Sequence, residues 1–479
     1  MNRPVPETIA QAPHKGWTLV LASLGLFMVA LDTLVVTTAL PVLRVDLGAS
    51  LSELEWTVNA YNLAFACFLL TGAALGDRFG RRRMFGIGLF VFTAASAAAA
   101  LSPSVAALIA ARTVQGAGAA MVMPLTLTLI SEAFPVEKRG AAIGLWGGIS
   151  GLAVAFGPVV GGAVVDGIDW HWIFWLNVPI GLALIPFSAR RLTESFGPRP
   201  RLDPVGLLIA GVGFLAATWG LVRANAVGWT SAEVVATLLA GAALIAAFVA
   251  WERRAPNPMV PLRLFRSRGF SAANAVSFFM YAGLFGAVFL MAQFLQNGLG
   301  ESPLVAGLRL LPWTATPMIV APIAGVLADK YGNRPFMVGG LAMQALGLGW
   351  VALIAGRQVN LVELGVALTI AGVGTSFCFP TVANAVLGSV PLEEAGVASG
   401  TNSSFRELGG VFGVAVLAAV FTHHAVYSSA QAFFEHFGDA LWAGAGLSAL
   451  GMVAAVLAPG RPAAKATESR PALAFAEAD

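Results

Sequence analysis

Three ionisable residues stand in stretches that offer them no water. Asp32 lies in LFMVALDTLVVTTALP, about 15 residues into the first apolar run. At about 1.5 Å per residue that is near mid-bilayer. Keeping a carboxylate there costs about 2.5–3.5 kcal/mol on insertion scales. Such an acid can take and release a proton; the plainer alternative is an acid held as a bond between helices. Arg112 opens RTVQGAGAAMVMP. A guanidinium does not give up its proton, so it needs an acid partner or water. Gln115, one turn on, extends the polar face, and Gly116 and Gly118 admit a close neighbour. Arg112 is either a structural ion pair or a part of proton coupling. Glu407 is roughly 15 Å into a late run, a second acid at membrane depth suited to a proton or a cation. Arg406 beside it points about 100° away.

Other chemistries lack their residues. No Lys follows a Gly, so the phosphate-cradling G-x-x-x-x-G-K-[ST] loop is absent. Neither a nucleophile with its base nor clustered metal ligands stands at membrane depth, so no enzyme, cofactor or metal is expected. Arg309, His423 and His424 lie near run ends and read as snorkelling or exposed groups. Asn59, Asn62, Gln293, Gln296, Gln344, Asn384 and Asn402 are expected to bond between helices.

The elements that must position these residues are transmembrane helices. Of 479 residues, 57% are hydrophobic and 11% charged, with mean hydropathy +0.79; soluble domains carry about 25% charged residues. Fourteen apolar runs can be drawn: Trp17–Leu43, Thr57–Leu75, Met84–Leu101, Val105–Ile130, Ala141–Val165 and Trp172–Ala189; then Val205–Val222 and Ala232–Trp251; then Phe270–Leu295, Leu304–Ala328, Phe336–Ala355, Leu361–Leu387, Val397–Val426 and Phe437–Ala458. The expectation is an all-α membrane protein. Its first six-helix bundle spans 17–190, its extra helix pair 191–269 and its second bundle 270–458. The segments 1–16 and 459–479 are expected to be cytoplasmic tails, the latter disordered. An even count puts both ends on one side, and 22 of the 28 Lys and Arg fall there, which makes it cytoplasmic. The first run carries no A-x-A site and reads as a retained span. Cys67 and Cys378 sit inside apolar runs, as small hydrophobes. A net charge of +3 gives no reason to expect nucleic acid as a partner.

Two polar signatures punctuate these runs. GAALGDRFGRRR, Gly72 to Arg83, returns 252 residues later as GVLADKYGNR, Gly325 to Arg334. Asp77 matches Asp329, Arg78 matches Lys330, Gly80 matches Gly332 and Arg82 matches Arg334. A recurring signature in two apolar halves indicates an internal repeat, as in many secondary transporters. The fifth run carries GPVVGG, with Gly157, Pro158, Gly161 and Gly162; small residues let backbones touch and Pro158 permits a bend.

The two loop copies resemble the loop signature of the major facilitator superfamily. RxxQG in the fourth run and GPVVGG in the fifth are similar to the motifs of its drug:proton antiporters. LDTLVVTTALP, WHWIFWLNVPIG and ASGTNSSFRELGGVFG resemble stretches of the fourteen-span branch, as does the central pair. Ala73 and Asn333 depart from the loop pattern. The resemblance implies a major-facilitator-type fold of two six-helix bundles plus two central helices, in the cytoplasmic membrane. It implies a proton-coupled antiporter, monomeric, exporting amphipathic or cationic drugs through alternating access, with a small molecule, protons and the bilayer as partners. An exporter of one endogenous metabolite, self-made antibiotic or lipid is the alternative. The resemblance further implies Asp77 near the start of the thirteenth span, around Gly396, and Arg81 paired with Glu132, with both loops acting as gates. Asp32, Arg112, Gln115 and Glu407 would serve proton coupling or substrate.

Overall fold

The computed structural model describes residues 15–197, 203–355, 359–390, 394–422 and 430–459. His423, His424 and nearly all of both expected tails lie outside them. The described secondary structure is helical. In order it runs α1 (Lys15–Asp46), α2 (Leu51–Phe79), α3 (Arg81–Ala100), α4 (Val105–Ala133), α5 (Val136–Gly167), α6 (Trp172–Trp175), α7 (Asn177–Arg191), α8 (Pro204–Val227) and α9 (Ala232–Glu252). After a short 3-10 turn, Leu262–Arg266, come α10 (Arg268–Gln293), α11 (Pro303–Thr314), α12 (Thr316–Tyr331), α13 (Asn333–Ile354), α14 (Leu361–Leu387), α15 (Ala395–Thr422) and α16 (Ala430–Val456). Among the described residues, thirteen helical stretches are long and apolar enough to cross a membrane, and the 32-residue α5 adds an apolar stretch over Ala155–Gly167.

The helices overrun the apolar runs because their polar ends are capped. α2 starts at Leu51, six residues before its apolar run. Ser50 and Glu53 form a reciprocal capping box there: Glu53 Oε2 accepts the Ser50 N–H at 2.8 Å, and Ser50 Oγ accepts the Glu53 N–H at 3.3 Å, satisfying two otherwise orphaned donors. Two expected single spans are interrupted. Leu304–Ala328 breaks at Ala315 between α11 and α12, where Pro312 and Pro317 withdraw backbone donors. Trp172–Ala189 is divided at Leu176. The run over Phe270–Leu295 instead continues through a π turn, Phe294–Gly298.

Helices α1 to α5 and α7 pack on one another, as do α10 to α16. The halves meet along α5 with α11, α2 with α15 and α1 with α10. The hairpin α8–α9 leans on the α2–α15 side through α8. α9 is left outward, with only 11% of its apolar window buried. The internal repeat is visible in the backbone. Gly80 (φ 105°) ends α2 and opens α3, and Gly332 (φ 88°) does the same between α12 and α13. Both glycines take a left-handed φ that a side chain would resist.

Candidate functional site

The cluster around Asp32 is assembled from five elements and sealed from solvent. Asp32 (α1) is 2% exposed and Arg112 (α4) 1%. Arg112 Nη1 donates to Asp32 Oδ2 at 2.5 Å and to Gln115 Oε1 at 2.7 Å, while its Nε donates to the Thr57 carbonyl of α2 at 3.2 Å. Gln115 Nε2 donates to Asp32 Oδ1 at 2.8 Å and to Ser96 Oγ of α3 at 2.6 Å. Asn177, opening α7, donates to Asp32 Oδ1 at 2.7 Å. The guanidinium lies over the Tyr61 ring at 4.1 Å. Asp32 thus accepts from three residues, which is how a buried charge pair avoids an uncompensated desolvation cost. The sequence brought forward Asp32, Arg112 and Gln115. It missed Ser96, Tyr61 and Asn177 as members. Asn177 had a signal, an amide inside the otherwise apolar WIFWLNVPIG; a lone Ser96 in an Ala-rich helix had none.

At the end of the bundle away from the signature loops, GPVVGG packs α5 on α1 of its own half and, through Pro158 and Gly162, on α11 of the other. Gly157 faces α1, where an added Cβ would lie 2.8 Å from Leu34 Cβ. Gly161 faces Val35 and Thr38 of the same helix. Gly162 abuts the Pro303 carbonyl at the start of α11, and Gly307 of α11 in turn abuts the Pro158 carbonyl. Around this reciprocal glycine contact, Thr314 Oγ1 donates to the Ala155 carbonyl at 3.0 Å and Gln296 Nε2 to the Thr38 carbonyl at 2.8 Å.

At the opposite end the first signature loop is pinned within its own half. Arg81 donates to Asp77 Oδ1 through Nε at 2.8 Å and forms an ion pair with Glu132 of α4. Asp77 also meets Gly197, whose N–H donates to the Asp77 carbonyl at 3.1 Å. Gly396, the position near which the resemblance placed Asp77, is outside the residues whose surroundings are described, as is the Asp329 side chain. Arg78 is exposed beside Phe79; Lys330 is exposed over the Tyr331 ring, and Arg334 is half-buried.

Glu194, absent from the sequence reading, completes this loop. Its carboxylate accepts the N–H groups of Arg82 at 2.9 Å and Arg83 at 3.2 Å, and the Arg82 guanidinium stands 3.7 Å away. It therefore caps the positive N-terminus of α3 from 112 residues along the chain, a distance that leaves no local sequence signal. Gly80 lies under the same carboxylate, where a Cβ would be 2.7 Å from Glu194 Cδ. Glu194→Ala is expected to cost about 0.5–2 kcal/mol of stability, read as a lowered thermal midpoint, with Glu194→Gln losing less. Unchanged midpoints for both variants would rule out the cap.

A second polar group lies on the α2–α15 contact. Ser404 Oγ donates to the Ala66 carbonyl at 3.2 Å, and Gly400 abuts Leu70. Helical periodicity puts Asn59 and Asn62 on the same face of α2 as Ala66 and Leu70, and Glu407 on the face of α15 that carries Gly400 and Ser404. Asn59, Asn62 and Glu407 are 0%, 1% and 8% exposed. The two amides have no hydrogen-bond partner among the described residues. Arg406 turns aside, donating to Ser403 Oγ at 2.8 Å. Gln296, Gln344 and Asn402 do bond between helices, and Arg309 reaches Glu301 at 3.5 Å. Between the halves, Leu34 of α1 shares a pocket with Tyr281, Phe285, Trp313 and Phe379; the buried Trp313 indole N–H has no partner among the described residues.

The family model described as Major Facilitator Superfamily matches residues 22–414 and, again, 273–476. The chain belongs to that superfamily. It is a multi-pass membrane protein of a transporter family. It is 38% identical over 405 residues to the multidrug resistance protein Stp of Mycobacterium tuberculosis, covering 84% of this chain and 75% of that protein. It is 36% identical over 421 residues to the tetracenomycin C resistance and export protein of Streptomyces glaucescens, covering 86% and 78%. A crystal structure of the peptide transporter POT shares the fold, with TM-score 0.67, 17% identity and coverage of 92% of this chain and 96% of that one.

Proposed function

We propose that this superfamily member is a fourteen-span, proton-coupled antiporter that exports amphipathic or cationic drugs or antibiotics across the cytoplasmic membrane, with both termini cytoplasmic and a monomer as the working unit. The observation that carries the reading is the pair of membrane-depth acids in contrasting settings. Asp32 is bound to Arg112, Gln115 and Asn177 in the first half, whereas Glu407 is buried on α15, which packs across the halves on α2, the helix whose buried Asn59 and Asn62 amides have no partner among the described residues. The first suits a stored proton site that is opened by helix movement, the second a cation or proton acceptor at the substrate path.

In this account the bundles 17–190 and 270–458 rock about the central pocket, with 191–269 appended. The GPVVGG seam holds the outer end shut. The loops of Asp77, Arg78, Gly80, Arg81 and Arg82, with Glu132, and of Asp329, Lys330, Gly332 and Arg334 gate the cytoplasmic end. Proton arrival at Asp32 weakens its hold on Arg112 and shifts the balance between the two closures. One proton moving through 100 mV supplies about 2.3 kcal/mol, enough for roughly a 50-fold gradient of a neutral substrate. Aromatic walls and a Trp313 N–H without a partner among the described residues suit flat amphipathic substrates.

Dye efflux from loaded cells across a varied panel, with and without a protonophore, tests this reading. Protonophore-sensitive export of several unrelated cationic dyes is expected, and Glu407→Gln is expected to lose cationic dyes before neutral ones. Export of a single compound class would favour the second reading, a dedicated antibiotic exporter. That reading draws on the relative named for tetracenomycin C resistance and export.

A further inference from the structure

The hairpin α8–α9 takes no part in the cycle described above. The outer face of α9 is bare, with Ala242, Ala243, Ala246, Ala247 and Ala250 exposed. At the end of α9 the chain doubles back through Pro256, Pro258 and Pro261 into the 3-10 turn Leu262–Arg266, which leads directly into α10. This end lies beside the start of α8, since Trp251 Nε1 donates to Asp203 Oδ2 at 2.9 Å. It is therefore on the signature-loop side of the bundle.

Between the end of α9 and the 3-10 turn is a cavity of about 730 Å³. Arg253 borders it on the α9 side, Arg263 and Arg266 on the other. Glu252 is the one acid in the lining. It is 3% exposed; its Oε2 accepts the Val260 N–H at 2.8 Å, and its Oε1 has no hydrogen-bond partner among the described residues. Arg263 pairs with Glu394 at 2.5 Å. Arg253 and Arg266 have no carboxylate partner among the described residues. Val249, Leu262 and Phe265 supply an apolar wall, and on α9 Val249 stands about one turn beyond the exposed Ala246. The volume is that of a small-molecule site.

Planar guanidiniums match the oxygens of a phosphate better than a point charge does. Basic clusters at the edge of a membrane span attract anionic headgroups. A free phosphate would satisfy the arginines and leave the apolar wall and the alanine face uncovered. A phospholipid covers both. We infer that this cavity binds an anionic phospholipid, its phosphate between Arg253 and Arg266 and an acyl chain along α9. The bound lipid ties the hairpin, which otherwise touches the bundle through α8, to the start of α10.

The test is the thermal midpoint of the full-length protein in detergent with added phosphatidylglycerol, phosphatidylcholine or inorganic phosphate. A ligand that binds only the folded state raises the midpoint. Phosphatidylglycerol is expected to raise it, and the other two are not. Arg253→Gln/Arg266→Gln is expected to lose most of that rise, with an unchanged midpoint in phosphatidylcholine. Arg253→Lys/Arg266→Lys keeps the charge and is expected to retain part of the rise; it decides the matter if the Gln pair folds poorly. An equal rise in both variants would overturn the proposal. A rise of the same size with inorganic phosphate would make the site one for a free anion, not a lipid.

Discussion

Arg112→Leu is expected to cost about 3–5 kcal/mol of stability, the largest loss of any single substitution in the first half. The change leaves the Asp32 carboxylate, 2% exposed, without its cation, and Gln115 and Asn177 supply dipoles but no charge. Detergent-extracted protein should show a collapsed folded fraction on size-exclusion. Asp32→Asn/Arg112→Gln is expected to recover much of that loss, because both charges go together and the amides can re-form hydrogen bonds to Gln115 and Asn177. The recovered double variant is expected to transport without any dependence on a proton gradient. This separates the two roles of the pair: a purely structural bond would return gradient-dependent transport along with folding.

Gly162→Val and Gly307→Val are expected to abolish transport while leaving each half folded. At either position a side chain would run into a backbone carbonyl of the other half, Pro303 for Gly162 and Pro158 for Gly307. A carbonyl cannot rotate away as a flexible side chain does, so α5 and α11 must part. Cysteines placed at that end of the bundle should then label faster with a membrane-impermeant thiol reagent. Wild-type labelling rates in both variants would show that the seam has room to spare and plays no part in closure.

Much of this was legible in the sequence because membrane depth makes charge conspicuous. Asp32, Arg112 and Glu407 stand out from apolar runs, and the structure places the first two in one cluster. The repeat was legible through glycine: Gly80 and Gly332 both hold a left-handed φ between two helices. What the sequence concealed was partnership across long separations. Nothing near Glu194 marks it as the cap of α3, and nothing in α2 marks Asn59 and Asn62 as unpartnered, since most such amides bond to a neighbouring helix. Helix ends also ran beyond the apolar runs, because capping, not hydropathy, sets where a helix stops.

The central claim is that Asp32 couples drug movement to protons. The direct measurement is dye movement in proteoliposomes with an imposed pH gradient, wild type beside Asp32→Asn at matched reconstitution. Wild type is expected to drive dye against its own gradient when the pH gradient is present. Asp32→Asn is predicted to let dye equilibrate at a rate indifferent to pH. Gradient-driven accumulation of dye by Asp32→Asn would contradict it and move the coupling site away from the Asp32–Arg112 cluster.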